Sequence, residues 1–312
     1  HIIRTPNDPD TIYDDDPLRI LRCIRFASRY GWEIEYDTYE GMVRNVSRLE
    51  IITKERVKDE FCKMLTCKHP IMAMELLRKI GAMHYVIPEL EETYSMTQNE
   101  YHFGTVWEHT MMVLEGTKDD NMILRISALL HDIGKIRVCT EEDGKIHFLK
   151  HELKSGEMID ELLRPLKFSN EIIKEVTFLV RNHMICKTWG SECEYMKDKK
   201  LRRLQYECKT EERFRNLMTI IDADNNAYAA DKCMPKQVEF ILSRTEAMKA
   251  EGSAMFGYKL PLTGKEIMDL KGIKPGSAVK ECLDYLMKIA FANPLRKKEE
   301  FVKHLLGYRL QK

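Results

Sequence analysis

The sequence predicts an almost entirely α-helical protein in four stretches, residues 1–65, 66–98, 99–235 and 236–312. Three observations carry that expectation. Asp16-Pro17 is a helix start written in sequence, followed by apolar positions at helical period. His109, His131-Asp132, His151, His183 and Asp224 are each embedded in a segment of helical periodicity. Strand signals are confined to an entry segment and to one hairpin turn at Asp143-Gly144.

Composition narrows the function classes. A chain of 312 residues holds about two or three domains, and 44% hydrophobic content is ample for buried cores. Lys+Arg and Asp+Glu both number 50, so no whole-chain field recruits nucleic acid, and any such attraction must be local. Nine cysteines without a C-x-x-C pair fit a reducing compartment better than a disulfide framework. There is no signal peptide and no apolar run near the roughly 20 residues that span a bilayer, so a soluble, cytoplasmic protein with no membrane partner is expected. The sequence opens at His1 without methionine and runs straight into an ordered-looking segment, which leads us to expect the C-terminal part of something longer.

Residues 1–13 read as an entry strand or loop, with Pro6 and Pro9 preventing a long helix. In the next segment Asp16 is placed as N-cap and Pro17 as first helical residue. At about 100° per residue, Arg19, Arg22, Arg25 and Arg29 share one face while Ile20, Leu21, Ile24 and Ala27 share the opposite one. The helix therefore packs on one side and offers guanidinium groups on the other, although a merely solvated face has the same pattern. Lys54–Leu65 is a further helix in which Arg56 can pair with Glu60 one turn on. Residues 70–92 read as two short helices around Gly81, ending at Pro88.

His109 lies in the amphipathic segment Val106–Leu114, and Leu124–Lys135 forms the next helix, bearing His131-Asp132. His151 opens a segment after the hairpin, and His183 closes Val176–His183. Asp222 and Asp224 are about 200° apart on a helix, so only one can face a shared site. His69 and His84 lack partners at ligand spacing and read as ordinary histidines, while His102 and His147 fall off the pattern. A lone histidine on an apolar face is usually a core residue; several donors delivered in this order argue otherwise.

That order resembles the H…HD…H…H…D pattern of HD metal-dependent phosphohydrolases. The resemblance implies that His109, His131, Asp132 and Asp224 hold one divalent ion, with His151 and His183 permitting a second bridged by Asp132. Asp224 is preferred because the family's last acid follows an alanine and precedes a polar run, here Asn225-Asn226; Asp222 stays in reserve. Imidazole and carboxylate donors suit Mn, Fe, Ni, Co or Zn better than an all-oxygen magnesium site. The chemistry implied is phosphoester hydrolysis. Lys135, one turn after His131, is the expected partner of a substrate phosphate, with a plain exposed lysine as the alternative.

Asp15-Asp16-Pro17-Leu18-Arg19-Ile20-Leu21-Arg22 in turn resembles the neck motif of bacterial CCA-adding tRNA nucleotidyltransferases and the related poly(A) polymerases, with aspartate at position 15 where glutamate is usual. The resemblance implies that Asp16 and Arg19 hydrogen-bond the base edge of incoming CTP or ATP, with Arg22 next along the face. Lys54–Leu65 is similar to the family's second neck motif and implies that Arg56 holds the neck and contacts nucleotide or RNA phosphate. Leu260–Leu270 and Lys274-Pro275-Gly276 resemble the family's C-terminal module, in which the Gly276 and Ser277 amides, with Lys274 and Lys280, could hold an RNA phosphate. A plain helix N-terminus explains the same residues.

On this reading the four stretches are neck, body, HD domain and tRNA-binding tail, and the partners are tRNA, ATP and CTP. The family's nucleotide-adding head, with a glycine pair and two aspartates for magnesium, has no counterpart before Asp14, so these residues alone are expected not to add nucleotides. CCA versus A-only addition stays open. Two alternatives remain: a stand-alone HD phosphohydrolase or phosphodiesterase, and a non-catalytic RNA-binding module with a structural ion.

Overall fold

Helix formation begins earlier than expected. The Asp8 carboxylate accepts from Thr11 N at 3.0 Å, and Pro9 occupies the first helical position, where its missing N–H removes no bond, so Pro9–Asp15 is a helix. This corrects the reading of residues 1–13 as strand or loop, of which only Ile2–Ile3 is extended. A computed structural model describes residues 1–99, 104–117, 120–228 and 232–310; His102 lies outside them. Among the described residues the named strands are Ile2–Ile3 paired in parallel with Glu33–Ile34, and Thr140–Glu142 paired antiparallel with Lys145–His147. Everything else regular is helical, as expected.

The arginine helix runs Leu18–Tyr30. Asp16 does accept from Leu18 N at 3.3 Å, but the capping position is Pro17, one residue later than expected. Ile20, Leu21, Ile24 and Ala27 are fully buried while Arg22 and Arg29 are exposed, as the periodicity says, but Arg25 departs from the outward face and is drawn into an ion pair with the buried Glu60. Gly31 ends the helix at φ 68°, a left-handed conformation that closes the last turn onto the Ala27 carbonyl. Residues 70–92 depart from the two-helix reading: Pro70–Lys79 is helical, but Ala82–Tyr85 and Pro88–Thr93 are 3-10 turns, and Pro88 starts the last of them instead of ending a helix.

The chain divides into two compact units, His1–Cys186 with Thr219–Met234, and Lys187–Met218 with Pro235–Lys312. The stretch 187–218 thus clusters with residues of the fourth stretch, not with the histidine-bearing helices of the third. In the first unit, Val106–Gly116 starts on a reciprocal Thr105–Glu108 capping box. The helix expected over 124–135 spans Met122–Leu130 instead; residues 131–134 turn, and Lys135–Val138 is a separate short helix. Asp143 at φ 50° and Gly144 at φ 72° make the hairpin turn with both central residues left-handed, as a type I′ turn requires. His151–Leu163 and Asn170–Asn182 follow, and one hydrophobic core extends through this unit from Tyr13 to Ala227.

The second unit holds Asp198–Cys208, Gln237–Ala250, Gly264–Lys271, Ser277–Ala292 and Lys298–Gly307. The helix after Gly276 runs three residues beyond the expected Ile289. A separate core forms from residues including Met255, Ile267, Leu286 and Phe301. Arg202, 8% exposed, donates to the carbonyls of Ser253, Phe291 and Ala292. All nine cysteines are free, and among the described residues no helix is long and apolar enough to cross a membrane.

Candidate metal centre

Five chain segments deliver the predicted donors to one place. His109 comes from the middle of Val106–Gly116, His131 and Asp132 from the turn after Leu130, His151 from the first position of its helix, His183 from the end of Asn170–Asn182, and Asp224 from the last turns of Glu211–Asn226. None is more than 8% exposed. The ligand atoms of His109, His131 and Asp224 lie within 4.8 Å of one another, and so do those of His131, Asp132 and His183. Asp222, held in reserve, is only half buried and belongs to neither group.

Asp132 stands between the imidazoles. Its Oδ2 is 3.3 Å from His131 Nε2 and 3.6 Å from His109 Nε2, whereas its Oδ1 is 3.1 Å from His151 Nε2 and 3.8 Å from His183 Nε2. Asp224 Oδ1 closes the first pair, 3.1 Å from His109 Nε2 and 3.9 Å from His131 Nε2. The two oxygens of one carboxylate therefore face two different pairs of rings.

Backbone carbonyls assign the tautomers. Nδ1 of His109 faces the carbonyl of Ala227, and Nδ1 of His131, His151 and His183 faces those of Ala128, Phe148 and Val180, at 2.7 to 3.3 Å. A carbonyl only accepts, so each Nδ1 carries the hydrogen and each neutral ring turns the lone pair of Nε2 inward. Those nitrogens converge on one another, with His109 and His131 Nε2 only 3.3 Å apart, and on two carboxylates. Lone pairs and anions packed together in a buried space repel unless positive charge sits among them. The donor set fits a divalent cation of the imidazole-binding kind.

The charges of the protein respond to the same crowding. Burial opposes ionisation of Asp132, but His131, Lys135 and His151 hold its carboxyl well below the usual range. Burial works against protonation of His131 and is outweighed by Asp132, which raises it. His183 is pushed down to about 3 by burial first and then by His131. Tyr228, edge-on to the His109 ring at 5.8 Å, has its phenol raised well above normal by burial.

Lys135 is not the exposed lysine of the bland alternative. It is 1% exposed, with Nζ 2.6 Å from Asp132 Oδ2 and 2.7 Å from Gln98 Oε1. Sequence reasoning missed Gln98, for which no local signal exists, and also what surrounds Gly134. A Cβ on Gly134 would collide with Ser155 N and His151 O, while Gly134 N donates to Ser155 Oγ at 2.8 Å. The bare glycine is what lets the His131-Asp132 turn lie against the helix that starts at His151. Its place two residues after Asp132 was the available clue.

The neck candidates gather at the start of the arginine helix. Arg56 Nη2 reaches both oxygens of Asp16, at 3.0 and 3.2 Å, so of the two readings of Arg56 the intrahelical pair with Glu60 is the one not formed. Glu60 is taken instead by Arg25 and by Lys63. Arg19 donates to the Ile12 carbonyl at 3.4 Å and lies 4.0 Å from Asp15, and Arg22 is exposed one turn on. In the second unit Gly276, at φ 152°, precedes Ser277–Ala292, with Lys274 and Lys280 exposed on either side.

Comparison with known proteins covers most of the chain. Residues 31–93 match the family described as the probable RNA and SrmB-binding site of polymerase A, and residues 99–225 match the HD domain. The CC-adding tRNA nucleotidyltransferase of Thermus thermophilus is 26% identical over 97% of this chain and 69% of its own length, and the A-adding enzyme of Deinococcus radiodurans is 28% identical over 86% and 62%. A multifunctional CCA protein of Neisseria gonorrhoeae is 31% identical over 55% of this chain and 43% of its own. The chain thus spans from under half to about two thirds of the length of these curated relatives. In fold, it superposes over 98% of its length on 65% of the CCA-adding enzyme of Bacillus stearothermophilus, with a TM-score of 0.64 at 19% identity. It covers 63% of the Thermotoga maritima CCA-adding enzyme, solved with tRNA, with a TM-score of 0.54 at 16% identity over 98% of this chain. With the neck motif, the RNA-binding match and the HD match in that order along one helical chain, this protein is similar over most of its length to bacterial CC- and A-adding tRNA nucleotidyltransferases.

Proposed function

We propose that these residues do the nucleotide- and tRNA-handling work of an enzyme that adds C, A or both to the 3′ end of tRNA, and that the HD centre holds a divalent ion and hydrolyses phosphoesters. The observation that carries the second half is the inward convergence of four Nε2 lone pairs on the two oxygens of Asp132 and on Asp224. His109, His131, Asp132 Oδ2 and Asp224 would hold one ion; Asp132 Oδ1, His151 and His183 would hold another. Mn, Fe, Ni, Co and Zn are the metals this donor set favours. When bound, such an ion supplies Lewis acidity toward a phosphoryl oxygen and makes a neighbouring water more acidic. The four backbone carbonyls keep each Nε2 unprotonated and aimed inward. Lys135 holds Asp132 in register between the two ring pairs, acting as a positioning residue in place of the phosphate partner expected from sequence.

In the neck, Arg56 fixes the Asp16 carboxylate, which with Arg19 would present an acceptor and a donor to the base edge of CTP or ATP, Arg22 lying beyond. tRNA is the proposed acceptor. Metal analysis, combined with phosphatase and 2′,3′-cyclic phosphodiesterase assays of the protein and of His131→Ala, tests the HD half; turnover that the variant retains would refute it. The depth of burial favours one second reading, an ion that is structural only, which predicts bound metal with no turnover. Incubating these 312 residues with tRNA lacking its 3′ end, CTP, ATP and magnesium is expected to give no extension. Extension would show that nucleotide addition needs no further residues.

A further inference from the structure

Gln98 is not one of the candidate donors, yet both ends of its amide are engaged with what supports them. Its Oε1 accepts from Lys135 Nζ at 2.7 Å, and its Nε2 donates to the Thr105 carbonyl at 3.0 Å. The partners fix the orientation of the amide, since an ammonium only donates and a carbonyl only accepts. Each partner leads straight to the HD centre. Lys135 Nζ lies 2.6 Å from Asp132 Oδ2. The Thr105 carbonyl also accepts from His109 N at 3.1 Å, and so closes the first turn of the helix that carries His109. Asp132 Oδ2 and His109 Nε2 are 3.6 Å apart, which completes a loop of contacts from Gln98 through Thr105, His109, Asp132 and Lys135 back to Gln98.

The backbone beside Gln98 is fastened to the same helix start. Thr97 bridges Thr105 in antiparallel fashion, and Val106 N donates to the Met96 carbonyl at 2.9 Å. The ammonium at the other end has few alternatives. Lys135 is 1% exposed, its acceptors among the described residues are Asp132 and Gln98, and the Phe148 ring centroid lies 5.3 Å from Nζ. Without Gln98 this buried ammonium would lean wholly on Asp132 Oδ2, the oxygen that faces His131 and His109.

We propose that Gln98 is a positioning residue of the HD centre: anchored on Thr105, it sets the place of Lys135 and thereby leaves Asp132 Oδ2 available to the ion that Asp132 would hold with His109, His131 and Asp224. A carboxamide suits the task because one end accepts from an ammonium while the other donates to a carbonyl. Ionised glutamate cannot donate, and methionine, of similar length, does neither. The proposal rests on the HD centre's holding an ion, as proposed above, and adds to it a residue that the H…HD…H…H…D pattern does not contain.

The test is a cobalt(II) titration followed by the visible absorption of the bound ion. It is run on the full chain and on Gln98→Met, Gln98→Glu, Lys135→Met and the double variant Gln98→Met/Lys135→Met, with Asp224→Ala marking the step that belongs to this ion. Gln98→Met should weaken that step about ten-fold or more. Gln98→Glu keeps the shape, loses the Thr105 anchor and draws the ammonium toward itself, so it should weaken the same step. In the Lys135→Met background, Gln98→Met should change the affinity by no more than about two-fold, because Gln98 acts through the ammonium. Parent-like affinity in either Gln98 variant, or an undiminished loss in the Lys135→Met background, would overturn the proposal and leave the HD reading standing. Melts of the metal-free proteins check the fold; if both Gln98 variants are unfolded, Gln98 serves the fold and the proposal falls. A parent that takes up no cobalt(II), or an Asp224→Ala that takes it up as the parent does, overturns the HD reading and this proposal with it.

Discussion

The HD centre and the arginine helix are both charged constellations of the first unit, and they are built in opposite ways. The arginines lie within eleven residues of one helix that rests on a local cap and a local apolar stripe; Arg22 and Arg29 face outward, Arg19 is half exposed, and Arg25 is drawn in against the buried Glu60. The candidate metal donors are separated by up to 115 residues, are buried to 8% exposure or less, and come together only when several helices are in contact. An outward charge on a helix is solvated whatever its neighbours do; an inward charge needs a partner for every side it shows. The first kind of site should therefore be robust to mutation and tuned for ligands, the second fragile and coupled to stability.

The most severe break of that contrast should be Asp132→Ala. It leaves the Lys135 ammonium buried without its carboxylate, so a loss of about 3–5 kcal/mol is expected in denaturant unfolding, together with loss of bound metal. Metal removal comes next. Chelation should lower the apparent stability of the protein by about 2.7 kcal/mol for free metal at 100 times its dissociation constant, and His131→Ala should show no such drop when chelator is added; equal drops in both would separate the donors from the ion. Gly134→Ala forces the turn at Asp132 away from Ser155 and His151, a collision expected to lower stability by about 1–3 kcal/mol and to weaken metal uptake although no ligand is altered. Intact metal binding in that variant would argue that the turn and the His151 helix need not touch. At the small end, Arg22→Ala should change stability by no more than about 0.5 kcal/mol while weakening ATP or CTP binding in isothermal titration. A large stability loss there would erase the distinction between the two regions.

The same contrast explains what could be read in advance. The arginine face, its buried opposite and its start near Asp16 follow from period and cap alone, because those are local effects. The choice of Asp224 over Asp222 agrees with their burial, since a helix cannot point both inward. What went astray was contact. For Arg56 helix spacing offers Glu60 as one of two partners, yet a residue 40 positions away, Asp16, takes it. Pro9 was read as a breaker where its position after Asp8 makes it a starter. Residues 187–218 cluster with later residues although the HD match runs through them, a contact that no composition shift marks.

The amino-acid order alone determined the helical class and the arginine stripe, because helical period and capping act over a few positions, and it named the metal-donor candidates only through the resemblance of their order to the HD pattern. Only the tertiary structure decided that Asp132 turns one oxygen to each pair of imidazoles, that four carbonyls orient those rings, and that Lys135 is buried against Asp132 and Gln98. Those are facts of convergence between distant segments, and the energies that select them, desolvation and close packing, have no value until the segments meet.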